Sequence, residues 1–381
     1  MNEDKAARYH RRKRSASVAS LFWSVGLLAM VASTGLSVAM RDLSRQLATA
    51  TPSIPGLEVA FYVVLLSLLH ELGSLPIAFY GGFLLERRYA LSNESFPGWI
   101  KDELKALALG LVLGSGAAAL LYGSMQLRPD TWWLPAGAAF TLLVVGLTNL
   151  APVILLPLFY SVKPLNRDGL RARLLALADR AGARVVGAYE WGLAAKTKKA
   201  NAALAGLGRT RRILVSDTML SEYSDDEIEV VLAHELAHHV HHDIWKGIAL
   251  ETILIFAGFY LAARMLAASV VPMGLTGPAD VAGLPILLLA AGAVSLVMVP
   301  AALAMSRAYE RSADRFALDL TRNPAAFIAA MRRLGAQNLA EDHPTKLTQW
   351  LFYSHPPIRE RIAAAQAFQA QPEGWSLTPP V

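Results

Sequence analysis

Six apolar runs constrain the fold of this chain more than any other feature. Each is long enough to cross the hydrocarbon core of a bilayer, about 30 Å thick, and together they cover residues 18–40, 59–85, 104–125, 137–160, 247–271 and 281–305. Of the 381 residues, 54% are hydrophobic and only 17% are charged, which is too apolar for an ordinary soluble protein of this length. We therefore expect a mainly α, polytopic membrane protein with about six transmembrane helices. The first is expected to be retained, because its apolar stretch exceeds that of a secretory signal.

Lysine and arginine residues predict which connections face the cytoplasm. They cluster before the first run and between the second and third, at Lys5, Arg8, Arg11, Arg12, Lys13, Arg14, Arg87, Arg88 and Lys101. Because cytoplasmic connections carry the excess of basic residues, we expect both termini, and the segment between the fourth and fifth runs, on the cytoplasmic side of the cell (inner) membrane. This distribution accounts for the net charge of +6 with the lipid bilayer as partner, and no nucleic-acid partner is expected.

The polar segments between and after these runs predict a cytoplasmic α+β domain. We divide the chain into a basic cytoplasmic tail (1–17), four transmembrane helices (18–160), a cytoplasmic segment (161–246), a transmembrane hairpin (247–305) and a second cytoplasmic segment (306–381). Within 161–246 the pattern predicts a helix over 171–181 and strands near 184–189 and 212–215. The two cytoplasmic segments flank the hairpin, so they can meet on one membrane face.

An H-E-x-x-H motif lies in the first of these segments. Residues four apart share a helix face, so His234 and His238 can hold one metal ion while Glu235 takes a proton from water, as in zinc peptidases. The run 224–227 reads Ser-Asp-Asp-Glu, a capping box that places the motif on a helix. The alternative is a surface helix rich in histidine, since three further histidines follow: His239, His241 and His242.

A catalytic zinc ion needs a third protein ligand, and the chain has no cysteine to supply one. Glu310 follows the sixth run and has Asp314 one turn later on the same helix face. Zinc bound by Glu310, with Asp314 accepting a hydrogen bond from a ligand imidazole, would explain why two like charges lie side by side. The alternative is a solvated helix in which the neighbouring arginines neutralise both carboxylates: Arg307, Arg311 and Arg315.

Four polar residues fall inside the apolar runs: His70, Glu71, Asn149 and Glu251. Polar groups at membrane depth usually face a bundle interior or an aqueous cavity. An interhelical hydrogen-bond network and a water-filled chamber both remain open. His70-Glu71 resembles the start of the zinc motif but lacks the second histidine, so we do not expect a metal there.

A series of short fragments occurs in a characteristic order along the chain. It reads Glu86-Arg87-Arg88-Tyr89, Pro157-Leu158-Phe159, Lys163-Pro164-Leu165, Asn201-Ala202, the run 212–218, the zinc motif, the Glu310/Asp314 helix and the run 353–361. In this order the chain resembles the integral-membrane zinc metalloproteases of the type I CAAX prenyl protease family, from about residue 75 onward. It departs from the family at Ala237 and Ala90, where glycine is usual and the change is sterically small, and in having six spans where eukaryotic members have seven.

The resemblance implies that the cytoplasmic part is a zincin-like α+β metalloprotease domain, and it implies a role for each matching residue. His234, His238 and Glu310 become the ligands of one Zn²⁺ ion and Glu235 the general base. Asn201 and Ala202 match the edge strand that binds the substrate backbone by strand addition, although Asn201 could also be an ordinary turn residue. His355 and Arg361 match groups near the scissile carbonyl, where they would stabilise the oxyanion. His355 could otherwise simply precede the helix-breaking Pro356-Pro357.

These observations predict a membrane-embedded zinc metalloendopeptidase acting on a peptide or membrane-protein substrate, lipidated or not. One alternative is a quality-control protease like the heat-shock membrane protease HtpX, which shares the zinc helix and the downstream glutamate. Another is a sensor or transporter without proteolytic activity. A transporter would depend on His70, Glu71 and Glu251, and it would keep its function when Glu235 is replaced by glutamine.

Overall fold

The computed structural model describes residues 2–51, 56–206 and 208–370, and most of them are helical. The helices are α1 (Asn2–Ser33), α2 (Leu36–Thr49), α3 (Leu57–Arg88), α4 (Phe96–Leu127), α5 (Trp133–Leu150), α6 (Asp168–Arg180), α7 (Asp217–Glu222), α8 (Asp225–Val240), α9 (Asp243–Ser269), α10 (Leu284–Thr321), α11 (Pro324–Gln337), α12 (Lys346–Phe352) and α13 (Ile358–Gln369). Six helices in the described part are long and apolar enough to cross a membrane, namely α1, α3, α4, α5, α9 and α10. The expected polytopic α-helical fold is confirmed.

The first span differs from its predicted bounds of 18–40. Helix α1 begins at Asn2, so the basic segment expected as a tail is the first part of the span helix itself. The helix ends at Ser33, because Gly35 adopts a φ of 76° that a right-handed helix cannot include. The apolar residues beyond this break form α2, a separate helix that packs against α3.

A buried ion pair joins α2 to the connection between α9 and α10. Arg41 Nη1 donates to Asp280 Oδ2 at 2.6 Å, and both side chains are buried. Ser37 Oγ donates to the backbone oxygen of Ala282 at 2.6 Å in the same place. Polar contacts between buried groups therefore hold α2 against the connection between α9 and α10 at this end of the helix bundle.

The other end of the bundle carries a small sheet. Its strands are β1 (Val162–Pro164), β2 (Ala188–Trp191), β3 (Ala202–Ala205) and β4 (Arg212–Ser216), in the order β1-β2-β4-β3. Strands β2 and β4 are parallel, and the two outer pairs are antiparallel. Strand β4 matches the prediction closely, whereas β2 begins four residues later than the predicted 184–189. A hydrophobic core packs α6, α8, α11 and the end of α10 against this sheet.

Two cavities lie between the membrane helices. The larger, of about 920 Å³, is lined by His70 and Glu71, and the smaller, of about 400 Å³, by Glu251. His70 also makes interhelical contacts, since its Nε2 lies 3.0 Å from Ser24 Oγ. Asn149 accepts a hydrogen bond from Thr210 at 2.9 Å, which ties α5 to the sheet. The polar residues of the spans therefore serve both as interhelical contacts and as cavity lining.

Candidate metal centre

The motif helix α8 begins where the capping box predicts. Ser224 Oγ accepts from the backbone N–H of Glu227 at 3.3 Å, and the Glu227 carboxylate accepts from the backbone N–H of Ser224 at 2.7 Å. The helix is buried over most of its length, and His234 is only 6% exposed. A solvated, histidine-rich surface helix does not fit this burial.

The third side chain reaches α8 because α10 continues beyond the membrane. This helix has 38 residues, a length of about 57 Å at 1.5 Å per residue, and it runs without a break through the predicted boundary at 305/306. Its last turns pack against α8 and bury Glu310 and Asp314. Two segments separated by a transmembrane hairpin thus meet at one point.

The ligand-type atoms of His234, His238 and Glu310 all lie within 4.8 Å of one another. The Nε2 atom of His234 is 3.1 Å from Glu310 Oε2, and that of His238 is 3.5 Å from Glu310 Oε1. Ligands of a tetrahedral zinc ion with bonds of about 2.0–2.1 Å lie roughly 3.3–3.4 Å apart, so the spacing fits. Glu310 Oε2 is buried without a hydrogen-bond partner among the described residues, as expected of an atom whose lone pair is aimed at a shared cation.

The charge around His234 also favours a cation. Burial alone would lower the pKa of this imidazole, but the carboxylates of Asp314 and Glu310 outweigh burial and raise the pKa to about 9. Burial raises the pKa of Glu235, whose side chain lies one position along the same helix. The field that stabilises a proton on His234 would equally stabilise a metal ion bound to its neutral ring.

Each motif histidine has a carboxylate within hydrogen-bonding distance of its Nδ1 atom. Asp314 Oδ1 lies 2.9 Å from Nδ1 of His234, as the spacing of Glu310 and Asp314 suggests. Asp243 Oδ2 lies 3.0 Å from Nδ1 of His238 and is buried, a residue that sequence reasoning missed. The only sequence signal was an acidic residue five positions after the motif, four residues before the predicted span 247–271. Carboxylates in this position fix the tautomer and orientation of a metal-binding imidazole.

A cleft of about 360 Å³ adjoins the cluster and is lined by Glu235, His355, Asn201 and Ala202 among others. Strand β3 forms an edge of the sheet beside it. Ser216 donates its backbone N–H to the oxygen of Asn201 at 2.9 Å, so this pair is hydrogen-bonded. In an antiparallel ladder the next pair is not, which directs the backbone N–H and oxygen of Ala202 away from β4, toward the free edge.

His355 and Arg361 are both brought to the cluster, but in different ways. His355 is exposed, and its Nε2 lies 3.3 Å from Glu310 Oε1. Arg361 is buried and forms a two-pronged ion pair with Asp314, at 2.9 Å and 2.5 Å. Its Nη2 lies 3.2 Å from Nδ1 of His234. The guanidinium therefore lies behind a motif histidine, and its predicted contact with an oxyanion stays a prediction.

A cluster of polar side chains connects the membrane helices α1 and α3 to the segment before β3, beside the cleft. The buried carboxylate of Glu86 accepts hydrogen bonds from Tyr9, Lys13 and Lys199, at 2.6 Å, 2.7 Å and 2.9 Å. Lys199 lies two residues before Asn201. Sequence reasoning noted Glu86 only as part of a fragment and did not predict its contacts, because the partners come from two distant parts of the chain, the first helix and the segment before β3.

Two family descriptions match the chain. "Peptidase family M48" matches residues 164–369, and "CAAX prenyl protease N-terminal, five membrane helices" matches residues 2–161. Four of the six long apolar helices begin within the second range.

Individual relatives agree with this match. The chain is 30% identical to the uncharacterized metalloprotease YhfN of Bacillus subtilis over 83% of this chain and 75% of that protein. It is 26% identical to the CAAX prenyl protease 1 homolog of Oryza sativa subsp. japonica, over 80% and 72% of the two chains. The crystal structure of S. mikatae Ste24p has the same fold, with a TM-score of 0.84 at 22% identity, covering 96% of this chain and 89% of that one.

The fold and the cluster at its end define a multi-pass membrane metallopeptidase, a hydrolase whose motif helix and Glu310 adjoin a transmembrane hairpin. Membership follows from the match over residues 164–369 and from the similarity to YhfN: the chain belongs to peptidase family M48. The expected family resemblance and the expected enzyme class are confirmed, and neither a sensor nor a transporter is favoured.

Proposed function

We propose that this protein is a zinc-dependent endopeptidase that cleaves peptide bonds of membrane-associated substrates at the cytoplasmic face of the bilayer. His234, His238 and Glu310 would hold the zinc ion, and Glu235 would act as general base. The observation that carries the proposal is the meeting of these ligand atoms within 4.8 Å, beside a cleft with a free strand edge.

The chemistry that zinc supplies when bound is Lewis acidity, which lowers the pKa of a water molecule to about 7 and polarises a carbonyl. The Glu235 carboxylate accepts a proton from the attacking water and returns it to the leaving amine. Burial raises the pKa of Glu235 above its usual value, a direction that suits a group that must both accept and donate a proton.

The remaining residues bind and orient. The substrate backbone adds to β3 as a further strand through Ala202, with Asn201 at the start of that edge. His355 lies on the exposed side of Glu310 and is placed to donate to the developing oxyanion. Arg361 serves the site through Asp314, whose charge it balances while Asp314 orients His234.

The substrate class follows from the relatives. Several of them carry the name CAAX prenyl protease 1 or its homolog, from rice, yeast and other eukaryotes. We propose that the substrates are peptide segments that approach the cleft from the membrane, and that a lipid chain on such a segment can be accommodated by the cavity of about 920 Å³ between the spans.

The test is a comparison of Glu235→Gln with the wild-type protein, purified, loaded with zinc and assayed with a quenched fluorescent peptide. Loss of the general base is expected to lower kcat by about 10²–10⁴-fold while bound zinc, measured by elemental analysis, stays at one per chain. Glu222→Gln, the same change at an exposed position of α7, is the matched control and should cleave normally. Equal cleavage by Glu235→Gln and wild type would refute the assignment.

Comparison of membrane proteomes from cells carrying wild type or Glu235→Gln would then identify the substrates. Proteins that accumulate uncut only in the variant are the clients. Lipid-modified clients would place the protein with the prenyl proteases in activity as well as in fold, whereas misfolded, unmodified membrane proteins would indicate quality control.

A further inference from the structure

Helix α12 presents large apolar side chains to the outside of the protein. Leu347 is 64% exposed, Trp350 50% and Phe352 44%. The helix has seven residues, far too few to span a bilayer, and it belongs to the segment expected to be cytoplasmic. Large apolar side chains concentrated in one short exposed helix mark a surface that something apolar covers.

The contacts of α12 fix its height relative to the membrane. Arg307 Nη1 donates to the backbone oxygens of Gln349 and Tyr353, at 2.9 Å and 2.6 Å. Ser306 Oγ donates to the backbone oxygen of Ser354 at 2.9 Å. Ser306 and Arg307 are the first polar residues after the apolar run of α10, which ends at 305. The last turn of α12 is therefore held at the level where the sixth span leaves the hydrocarbon.

The neighbouring span, α9, has an exposed tryptophan at the same level. Trp245 is 53% exposed and lies in the first turn of α9. The next residue, Lys246, places its ammonium 4.9 Å from the ring centre of Tyr309, two residues beyond Arg307. Exposed tryptophan beside lysine and arginine at the end of a span is typical of the membrane–water interface.

We propose that α12 is an interfacial helix whose Leu347 and Trp350 side chains, three residues apart on one helix face, insert into the headgroup layer of the lipid bilayer. The occupant of this surface is lipid, because the surface adjoins the end of the sixth span and lies at the height of Trp245. Lys346, at the first position of α12, reaches the aqueous side by extending its flexible stem. The surface plays no part in the chemistry of bond cleavage.

The insertion of α12 into the headgroup layer has a consequence for the active cleft. The residues that follow α12 run directly to His355, whose Nε2 is 3.3 Å from Glu310. Tyr353 on the way donates to Glu341 at 2.5 Å, and Glu341 also accepts from Arg14 of the first span at 2.7 Å. Lipid contact at α12 and the anchoring of Tyr353 together hold the segment that carries His355, so the bilayer itself forms part of the support of the cleft.

The absence of cysteine allows a direct test by site-directed spin labelling. The full chain with Leu347→Cys or Trp350→Cys is labelled with a nitroxide and reconstituted at one copy per nanodisc of phosphatidylcholine and phosphatidylglycerol. Collision rates with oxygen, which concentrates in lipid, are compared with those of a water-soluble nickel chelate. Asp342→Cys, at an exposed polar position four residues before α12, is the matched control.

We expect the ratio of oxygen to nickel accessibility at Leu347 and Trp350 to exceed that at Asp342 several-fold, consistent with burial about 5–10 Å into the headgroup and acyl boundary. Equal ratios at all three positions would place α12 in water and overturn the proposal. Low accessibility to both reagents at Leu347 and Trp350 would show that protein covers the face, which also overturns it. Proteolytic activity does not enter this measurement, so its outcome is independent of the proposed reaction.

Discussion

At the scale of single residues, the candidate metal centre depends on the carboxylates that contact the motif histidines as well as on the proposed ligands. The motif predicted His234 and His238 as ligands, and the pair of carboxylates after the sixth run predicted Glu310 as the third ligand and Asp314 as its support. The second support, Asp243, could not be predicted from sequence. Its contact with His238 depends on a sharp turn between α8 and α9, which His242 makes by adopting a φ of 59°. Histidine adopts the left-handed conformation more often than most residues, but the sequence does not show which of His239, His241 and His242 does so.

Replacement of Asp243 should weaken metal binding. Asp243→Ala removes the acceptor that fixes the His238 ring, so the affinity for Zn²⁺ is expected to fall about 10–100-fold, and less in Asp243→Asn, which keeps an acceptor. Competition against a chromogenic chelator measures the affinity without any assay of cleavage. Asp319→Asn, at an exposed position of α10, should bind zinc as wild type does. Unchanged affinity in both Asp243 variants would exclude the supporting role.

The residue at position 90 illustrates a second limit of sequence reasoning. The change from the family's glycine to Ala90 is sterically small, yet Ala90 has a φ of 61°. It ends α3 in a Schellman turn, in which the N–H of Leu91 donates to the oxygen of Glu86 at 2.9 Å and that of Ala90 to Arg87 at 3.0 Å. The strain lies in the backbone, and the space around the side chain does not reveal it.

Ala90→Gly is therefore expected to stabilise the protein. Relief of the left-handed strain, about 1–2 kcal/mol, outweighs the greater entropy that glycine gives the unfolded chain, about 0.4–1 kcal/mol. Thermal unfolding in detergent should show a higher Tm for Ala90→Gly. Glycine at Ala181, whose φ is −81°, provides the comparison and should lower the Tm. A lower Tm for both variants would contradict the strain argument.

At the scale of elements, hydropathy predicted the existence of the spans and the capping box predicted the start of α8. The bounds of the first span and the order of the strands could not be obtained in this way. The break at Gly35 depends on a positive φ that hydropathy does not report, and the pairing of β4 between β2 and β3 depends on contacts between distant segments. The same holds for the ion pair of Arg41 with Asp280, whose residues lie in two different connections.

That ion pair should make stability depend on pH. Burial would raise the pKa of Asp280, but hydrogen bonds from the backbone of Thr276 and Ala282 and from Arg41 together hold it below its usual value. The folded pKa is thus lower than the unfolded one, so the carboxylate stabilises the fold above about pH 4. This contribution is lost as the pH falls through the folded pKa.

Asp280→Asn should destabilise the protein at pH 7, by less than the about 3–5 kcal/mol that loss of a sole partner costs, because buried Arg41 loses the carboxylate of Asp280 and keeps only that of exposed Asp42. Thermal unfolding of wild type and variant at pH 7 and pH 3 gives the difference at each pH, which should shrink on acidification. Asp130→Asn, at an exposed position beyond α4, should show no such difference. A difference in stability between wild type and Asp280→Asn that stays constant with pH would rule out the charge of Asp280 as its origin.

At the scale of the whole molecule, the distribution of basic residues predicts how the six spans are oriented across the membrane. The cytoplasmic placement of the cleft is inferred from basic residues, which cluster on the side of the sheet. The connection between α4 and α5 should lie outside, and the segment between α6 and β2 inside. This arrangement puts the proposed reaction on the same side as newly made cytoplasmic proteins.

Single cysteines test the orientation, because the natural chain has none. In intact cells a membrane-impermeant maleimide should label Asp130→Cys and leave Arg184→Cys unlabelled. Both positions are exposed, so both should react after lysis. Labelling of Arg184→Cys alone in intact cells would reverse the topology and place the cleft outside the cytoplasm.

The turn at His242 joins α8 directly to α9, so that a movement of one helix is passed to the other. Only His241 and His242 separate the helix that carries His234 and His238 from its transmembrane continuation, and Glu310 lies on α10, a span helix that contains Pro300. Acyl chains that are too short or too long for a span tilt it at a cost of fractions of a kcal/mol per Å. We expect such mismatch to alter the distances among these three side chains, so that metal affinity measured in bilayers of different thickness would differ.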